Sequence, residues 1–214
     1  MDNTIKKSKA VNRSGLSTGA VSLRELKTEI IRKAIHFLVA LCPLMASVNR
    51  PVTMFLLITG TLAYTYMEHL RLSGVKVPFI SSITAMASRS RDLGHFVMGP
   101  VTLGLGSLLA LLLYPSPAAA IAIYALAFGD GCASLVGKIF GRIRPAFMLG
   151  KSIEGSLACF VVVLIAAWRV SGSVSVSLIA AFTATVVEAL PLEDYDNLAL
   201  PVSVGLAVQL TSLL

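Results

Sequence analysis

The chain has 214 residues, 56% of them apolar and only 14% charged, with a mean hydropathy of +0.81. Soluble domains carry about 25% charged residues, so this composition excludes a disordered chain, a coiled coil and an ordinary soluble enzyme. It points to an integral membrane protein. Eighteen Lys and Arg against 11 Asp and Glu leave a net charge of +7, an excess that in a membrane protein sets topology. No base-stacking aromatics accompany the basic residues, so nucleic acid is not an expected partner. Cys42, Cys132 and Cys159 lie in apolar or Gly-rich surroundings without metal or disulfide spacing, and read as small buried hydrophobes.

A membrane helix needs about 20 mostly apolar residues. Residues 1–24 are polar, with Lys6, Lys7, Lys9 and Arg13 and no apolar core, and read as a cytoplasmic tail rather than a cleaved signal peptide. A first span is expected over about 29–48, apolar only after His36, and a second over 51–67. The charge-free run 96–129 is too long for one span, and Pro115 and Pro117 split it near 96–114 and 117–129. Runs at 155–168, 170–187 and 197–214 complete seven predicted helices. The expected fold class is therefore all-α, a polytopic transmembrane bundle over 25–214 behind the tail 1–24.

Eight Lys and Arg lie in the N-terminal stretch through Lys33. Arg71, Lys76, Arg89 and Arg91 lie in the 68–95 loop, and Lys138, Arg142, Arg144 and Lys151 in the 130–152 loop. The intervening turns hold only Arg50 and Arg169. The positive-inside rule then places the N-terminus in the cytoplasm and the C-terminus outside. The acidic 188–196 turn falls inside, which the rule tolerates because Asp and Glu weigh little in it. Short chain length and helical spans favour a bacterial inner membrane.

Ionisable residues at membrane depth are costly, and here they cluster at predicted cytoplasmic helix ends. Glu29, Arg32, Lys33 and His36 share one broad helix face through i, i+4 spacing. They read as a snorkelling anchor or as a cationic clamp for phosphates. Asp130 stands between Gly129 and Gly131, followed by Lys138 about two turns on. This arrangement predicts a broken helix whose carboxylate suits Mg²⁺, which takes few protein carboxylates and bridges to substrate phosphates. The alternative is a plain helix cap.

Gly150-Lys151-Ser152 opens a further helix, with Glu154 in its first turn. A full P-loop needs glycine five residues before Gly150, where the chain has Pro145, and a preceding strand. The helix N-terminus still offers backbone N–H groups to phosphate, Lys151 and Glu154 are close enough to pair, and Ser152 is a natural N-cap. Glu188, Asp196 and Asn197 flank the last turn as a cation-binding rim, while Glu193 and Asp194 read as a solvated acidic turn. Acids for a metal and bases for phosphates on one membrane face are the inventory of phosphoryl or nucleotidyl transfer. A surrounding apolar bundle admits a lipid acceptor.

The motifs Arg32-Lys33-Ala34-Ile35-His36, Phe128-Gly129-Asp130-Gly131-Cys132, Gly150-Lys151-Ser152-Ile153-Glu154-Gly155 and Val187-Glu188, with Asp196-Asn197, occur in one chain order. In these the chain resembles the polyprenol, phytol and dolichol kinase and CTP-dependent diacylglycerol kinase family, over about residues 25–214. The resemblance implies a kinase that phosphorylates a membrane lipid alcohol with CTP or ATP and a divalent cation such as Mg²⁺. It implies that Asp130, Lys151, Glu188 and Asp196 are catalytic. Asp130, Glu188 and Asp196 are the expected metal ligands, and Glu188 or Asp196 the acceptor of the lipid hydroxyl proton. Arg32, Lys33, Lys138 and Lys151 would neutralise nucleotide phosphates, beside Gly129, Gly131, Gly150 and Ser152. His36, Glu154 and Asn197 would orient the others. The family is related to phosphatidate cytidylyltransferases, but their C-terminal Pro-Gly-His-Gly-Gly segment has no counterpart here. Cytidylyl transfer is the second expectation. A transporter is the third, disfavoured because the charges gather at one face and no inverted repeat of the motifs is visible.

Overall fold

The computed structural model of the chain describes residues 23–75 and 94–211. Residues 1–22 of the tail expected over 1–24, together with Lys76, Arg89 and Arg91, lie outside the described residues. Each described apolar run is helical, as it must be where no water can satisfy backbone N–H and C=O groups. Helix α1 spans Leu23–Leu38 and passes through a 3₁₀ turn, Val39–Leu41, into α2, Cys42–Leu72. Helix α3 spans Gly99–Leu113 and α4 spans Ala118–Tyr124. A π-helical stretch, Ala125–Asp130, joins α4 to α5, Gly131–Phe140. Helices α6, Ile153–Ser171, α7, Val174–Ala189, and α8, Asp196–Thr211, complete the described chain. Leu26–Leu72, Ala118–Phe140 and Ile153–Ser171 are long and apolar enough to cross a membrane, and Gly99–Leu113 and Val174–Ala189 are shorter apolar helices.

Local chemistry explains the joints. Within α2 the backbone leaves helical geometry at Asn49, where Pro51 follows and the Asn49 side chain accepts a 3.0 Å bond from Val52 N–H. The side chain thus caps the second segment, at the boundary expected at 49–51. Ser152 caps α6 through Gly155 N–H at 3.1 Å. Gly172, at φ +67°, closes α6 in the left-handed conformation that glycine adopts without strain.

The helix break expected at Gly129–Gly131 is not present. The chain stays helical through Asp130 and Gly131, with Gly131 at φ −57° and ψ −54°. The two glycines serve close packing instead. A Cβ on Gly129 would lie 2.8 Å from Val163 Cγ2, and one on Gly131 would lie 2.5 Å from Phe37 Cε1. Asp130 is likewise not a cap, since its side chain accepts no backbone N–H of the following turn. Lys138, expected in a loop, therefore stands on α5.

The bundle packs α6 against α7 and α5, α3 and α7 against α8, and α2 against α3. Its core is built from small side chains: Ala110, Ala122, Ala125, Ala167, Ala180 and Ala184 are wholly buried. Phe55, Leu62, Leu157, Trp168 and Phe182 face outward. Small residues inside and large apolar ones outside are the membrane pattern, in which helices approach closely and lipid covers the rest. Pro201 shows how close. It removes the N–H that would bond Asn197 O within α8, and a Cβ on Gly106 of α3 would stand 2.0 Å from that oxygen. At the end of α3, Arg50 donates to Leu111 O and, at 2.8 Å, to Tyr114 O.

Glu68, wholly buried near the end of α2, receives two 2.8 Å bonds from the Arg71 guanidinium and a 3.0 Å bond from Val97 N–H. Arg71 also donates to His95 O at 3.0 Å. This clamp fixes the segment that leads into α3. Replacing Glu68 with Gln is expected to cost about 1–3 kcal/mol, because charge-assisted bonds are lost and a buried polar pair is left mismatched. The amide of Val97 should exchange faster with deuterium and the detergent melting temperature should fall. Unchanged exchange at Val97 would refute the clamp.

Candidate active site

The site begins where α1 meets the π-helical stretch. Lys33 is fully buried, and its ammonium is bonded to Asp130 Oδ2. His36, one turn further along α1, places Nδ1 3.0 Å from the same oxygen. Its Nε2 lies 3.0 Å from Asn197 Oδ1. Asn197 donates through Nδ2 to Thr102 Oγ1 at 2.9 Å and to Gly99 O at 3.4 Å. Its oxygen is therefore the acceptor, and His36 Nε2 the donor. A polar chain thus runs from Asp130 on the π stretch through α1 to α8 and α3. Ser134, one turn after Asp130, approaches Oδ1 at 3.4 Å.

Beside this chain opens a cavity of about 390 Å³. Arg32 and Glu29 of α1, Asp130, and Lys138 of α5 line one side. Glu29 is bonded to Arg32 and receives Lys138 Nζ at 2.6 Å. Lys151, Glu188 and Asp196 line the other. Lys151 Nζ donates to Glu188 O and stands 3.6 Å from Glu188 Oε1 and 3.9 Å from Asp196 Oδ2. Ser156 donates to Glu188 Oε2 at 3.0 Å, which fixes that carboxylate. Cations and carboxylates thus alternate around the cavity at the ends of apolar helices.

The residues singled out from sequence take different positions. Arg32, Asp130, Lys138, Gly150, Lys151, Ser152, Glu188 and Asp196 line the cavity. Lys33, His36 and Asn197 form the buried chain behind it. Gly129 and Gly131 pack against α6 and α1, as above. Lys151 does not pair with Glu154. The Glu154 carboxylate instead accepts the N–H groups of Arg142 at 2.9 Å and Ile143 at 3.1 Å, bracing the loop 141–152 against α6. Within the Gly150-Lys151-Ser152 turn, Lys151 N–H donates to Met148 O, Ile153 N–H to Ile143 O and Gly155 N–H to Ser152 Oγ. These backbone donors close the turn.

Three charged cavity residues carry no site assignment from sequence: Glu29, Arg144 and Glu193, the last expected in a solvated turn. Glu29 was weighed only as a partner within its helix, and its bond to Lys138, 109 positions away, leaves no local signal. Arg144 was read only as a topology charge. It donates to Gly150 O and, at 2.5 Å, to Gly137 O, tying the Gly150 turn to α5. Leu149 at φ 42° and Gly150 at φ 94° form the left-handed corner that this tie holds. Among the described residues no group of three His, Cys, Asp or Glu side chains is placed to hold a metal ion by itself. Asp130, Glu188 and Asp196 are therefore not a closed protein cage. That donor set fits Mg²⁺, which is bound through one or two carboxylates and substrate phosphates.

Removing the Arg144 side chain is expected to release the 141–152 loop. Arg144→Ala should be cut faster by trypsin after Arg142 and Lys151 than the parent protein, by about tenfold if the two carbonyl bonds contribute roughly 1.4 kcal/mol in sum. Equal cleavage rates in folded protein would refute the tie.

Over 146 aligned residues the chain is 27% identical to CTP-dependent diacylglycerol kinase 1 of Eremothecium gossypii. The alignment covers 56% of this chain and 46% of that protein, so the chain spans about half the length of the curated relative it matches. No family model and no solved structure matches the chain. The chain is thus a distant relative of a CTP-dependent lipid kinase, in keeping with the resemblance carried by its motifs.

Proposed function

We propose that the chain is an integral membrane kinase that transfers the γ-phosphate of CTP to the hydroxyl of a membrane lipid alcohol, such as a polyprenol or dolichol, phytol or diacylglycerol. The observation that carries this reading is the cavity of alternating Lys, Arg, Asp and Glu side chains at the ends of lipid-facing helices. The distant kinase relative supports it and favours CTP over ATP. The proposal includes seven spans, a cytoplasmic N-terminus and a site open to the cytoplasm, in a membrane of the bacterial inner type.

Phosphoryl transfer asks a protein mainly for positioning and charge neutralisation. Arg32, Lys138, Arg144 and Lys151 present their cations to the cavity and would neutralise the nucleotide phosphates. Lys33 holds Asp130 from behind, so its carboxylate keeps one orientation. Mg²⁺ entering with the nucleotide would be held by Asp130, with Glu188 or Asp196 in reach, and would supply further neutralisation of phosphate charge. Glu188 is fixed by Ser156 and Lys151. Asp196, held less tightly, is the better acceptor for the lipid hydroxyl proton. The hydroxyl oxygen then forms a bond to the γ-phosphorus as the bond to the bridging oxygen breaks. CDP leaves with that electron pair, and the proton passes to Asp196.

The test is a labelled-donor assay in detergent with Mg²⁺ and a panel of lipid alcohols and phosphatidate. Label from γ-labelled CTP is expected in the lipid fraction, and label from α-labelled CTP is not. Asp130→Asn should lower transfer at least about 100-fold, the scale of losing one preorganised charged group, while eluting as a folded protein. Alpha label delivered to phosphatidate would replace the kinase reading with cytidylyl transfer. A folded Asp130→Asn protein of full activity would remove Asp130 from the chemistry.

A further inference from the structure

A second cavity of about 300 Å³ lies between α1, α2 and α3, and its lining is apolar apart from Thr61 and Tyr64. Ile35 of α1, Val39 of the 3₁₀ turn and Cys42 at the start of α2 form one wall, Leu57 and Gly60 part of a second on α2, and Leu103 part of a third on α3. It is open at the side, where Leu38 and Leu56 are exposed, at 63% and 49%. At this depth the surrounding phase is hydrocarbon, so the opening faces lipid tails.

We infer that this groove holds the hydrocarbon chain of the lipid alcohol whose hydroxyl is phosphorylated in the polar cavity. The inference rests on the kinase reading above. Its basis is continuity. Arg32, Ile35, Val39 and Cys42 fall at i, i+3, i+7 and i+10, close to one stripe of the helical run that continues from α1 through the 3₁₀ turn into α2. Arg32 lines the polar cavity and the other three line the groove. The change from charged to apolar takes place within one helical turn, about 5 Å. Helix α3 repeats the arrangement. Gly99 O and Thr102 hold Asn197 of the polar chain, while Pro100, Leu103 and Gly104 line the groove. The two cavities are thus the head and tail portions of one amphiphile site, with no charged side chain in the tail portion.

The groove is also built with space. At its floor α2 and α3 meet closely, since a Cβ on Gly104 would stand 2.2 Å from Thr61 Oγ1. At Gly60 the opposite holds, and a Cβ there meets nothing within 4 Å. Gly60 is helical and lines the groove, so a side chain can be added without backbone strain, and a large one has room to enter it. A hydrocarbon chain lying from Ile35 to Cys42 would run along about 10 Å of helix.

The experiment compares Gly60→Phe with Leu206→Phe, a control on the lipid-facing surface of α8. For Gly60→Phe the KM for a long-chain alcohol acceptor should rise at least about tenfold, the scale of blocking an apolar pocket. The KM for CTP and for a short-chain acceptor should stay within about twofold, as should all three constants of Leu206→Phe. Equal loss on short and long acceptors, or an unchanged long-chain KM, overturns the groove assignment. A second readout does not need turnover. A long-chain alcohol carrying a diazirine in its tail is photolysed with the protein in phosphatidylcholine nanodiscs, and labelled peptides are mapped. Labelling at 38–42 and 56–64 that excess unlabelled alcohol competes away supports the groove, even if CTP proves to be the wrong donor. Labelling spread over all lipid-facing helices, or not competed, overturns it and leaves the kinase reading to the labelled-donor assay.

Discussion

The contact between Lys33 and Asp130 is the interaction on which the site depends. Both groups are buried, and taking two charges out of water costs several kcal/mol per ion unless each is paired and hydrogen-bonded. Neither helix can therefore shift alone. If α1 slid by one turn, Lys33 and Asp130 would each lose their main partner. Charge, more than grease, docks α1 on the bundle: its outer face carries exposed Ile30 and Leu38, while its inner face carries Glu29, Lys33 and His36. Once α1 is docked, Arg32 is delivered to the cavity, and His36 reaches Asn197 on α8.

The π-helical stretch explains how one carboxylate meets partners from several helices. An i→i+5 turn widens the helix and displaces the residues that follow it relative to the regular register. Asp130 ends that stretch, and the glycines on either side allow α6 and Phe37 of α1 to come close. A regular helix with larger neighbours would hold both away. The small-residue core has the same effect elsewhere, since Gly106 lets α3 approach the carbonyl that Pro201 leaves unbonded. That approach sets Gly99 and Thr102 beside Asn197. Packing and polar chemistry here are one arrangement: close backbones bring short polar side chains into hydrogen-bond range without long flexible spacers.

The helical fold was legible because hydrocarbon leaves the backbone few choices, and most apolar runs mark helix ends to within a few residues, though the run expected to end at 129 stays helical to Phe140 and α1 begins at Leu23 rather than near 29. The clusters of charge were legible for a related reason. An ionisable residue in an apolar run is expensive, so Asp130, Lys33 and Glu188 stand out against their surroundings. The pairing among them was not legible. Lys151 was three residues from Glu154 and looked like its partner, yet the turn at Leu149–Gly150 swings Lys151 toward Glu188 and Asp196 and leaves Glu154 to bond the backbone of Arg142 and Ile143. Local spacing cannot report a turn that reverses direction. The Gly129-Asp130-Gly131 signal misled in the opposite way, because glycine marks close approach as well as bending, and only packing distinguishes the two. The pairing of Glu68 with Arg71 was not legible either, because both follow the apolar run 51–67 and read as loop charges, whereas α2 continues to Leu72.

The charge balance of the cavity bears on what enters it. Glu29, Asp130, Glu188, Glu193 and Asp196 supply five carboxylates, against the cations of Arg32, Lys138, Arg144 and Lys151 on the lining and Lys33 behind it. Counted at full ionisation, five negative charges meet five positive ones. A cavity evolved only to attract a bare triphosphate would be strongly cationic, and this one is neutral. Several of its cations are already engaged by carboxylates, Lys138 with Glu29 and Lys151 with Glu188 and Asp196. A bare nucleotide would have to take those cations from their acids and leave the carboxylates exposed to its own phosphates, an arrangement that like-charge repulsion opposes at short range. A nucleotide that enters together with a divalent cation avoids this. The lysines can turn to phosphate oxygens while the released carboxylates face the metal, so every charge keeps an opposite neighbour throughout. On the kinase reading, the internal salt bridges of the resting site are the stand-ins for the charges of its substrate.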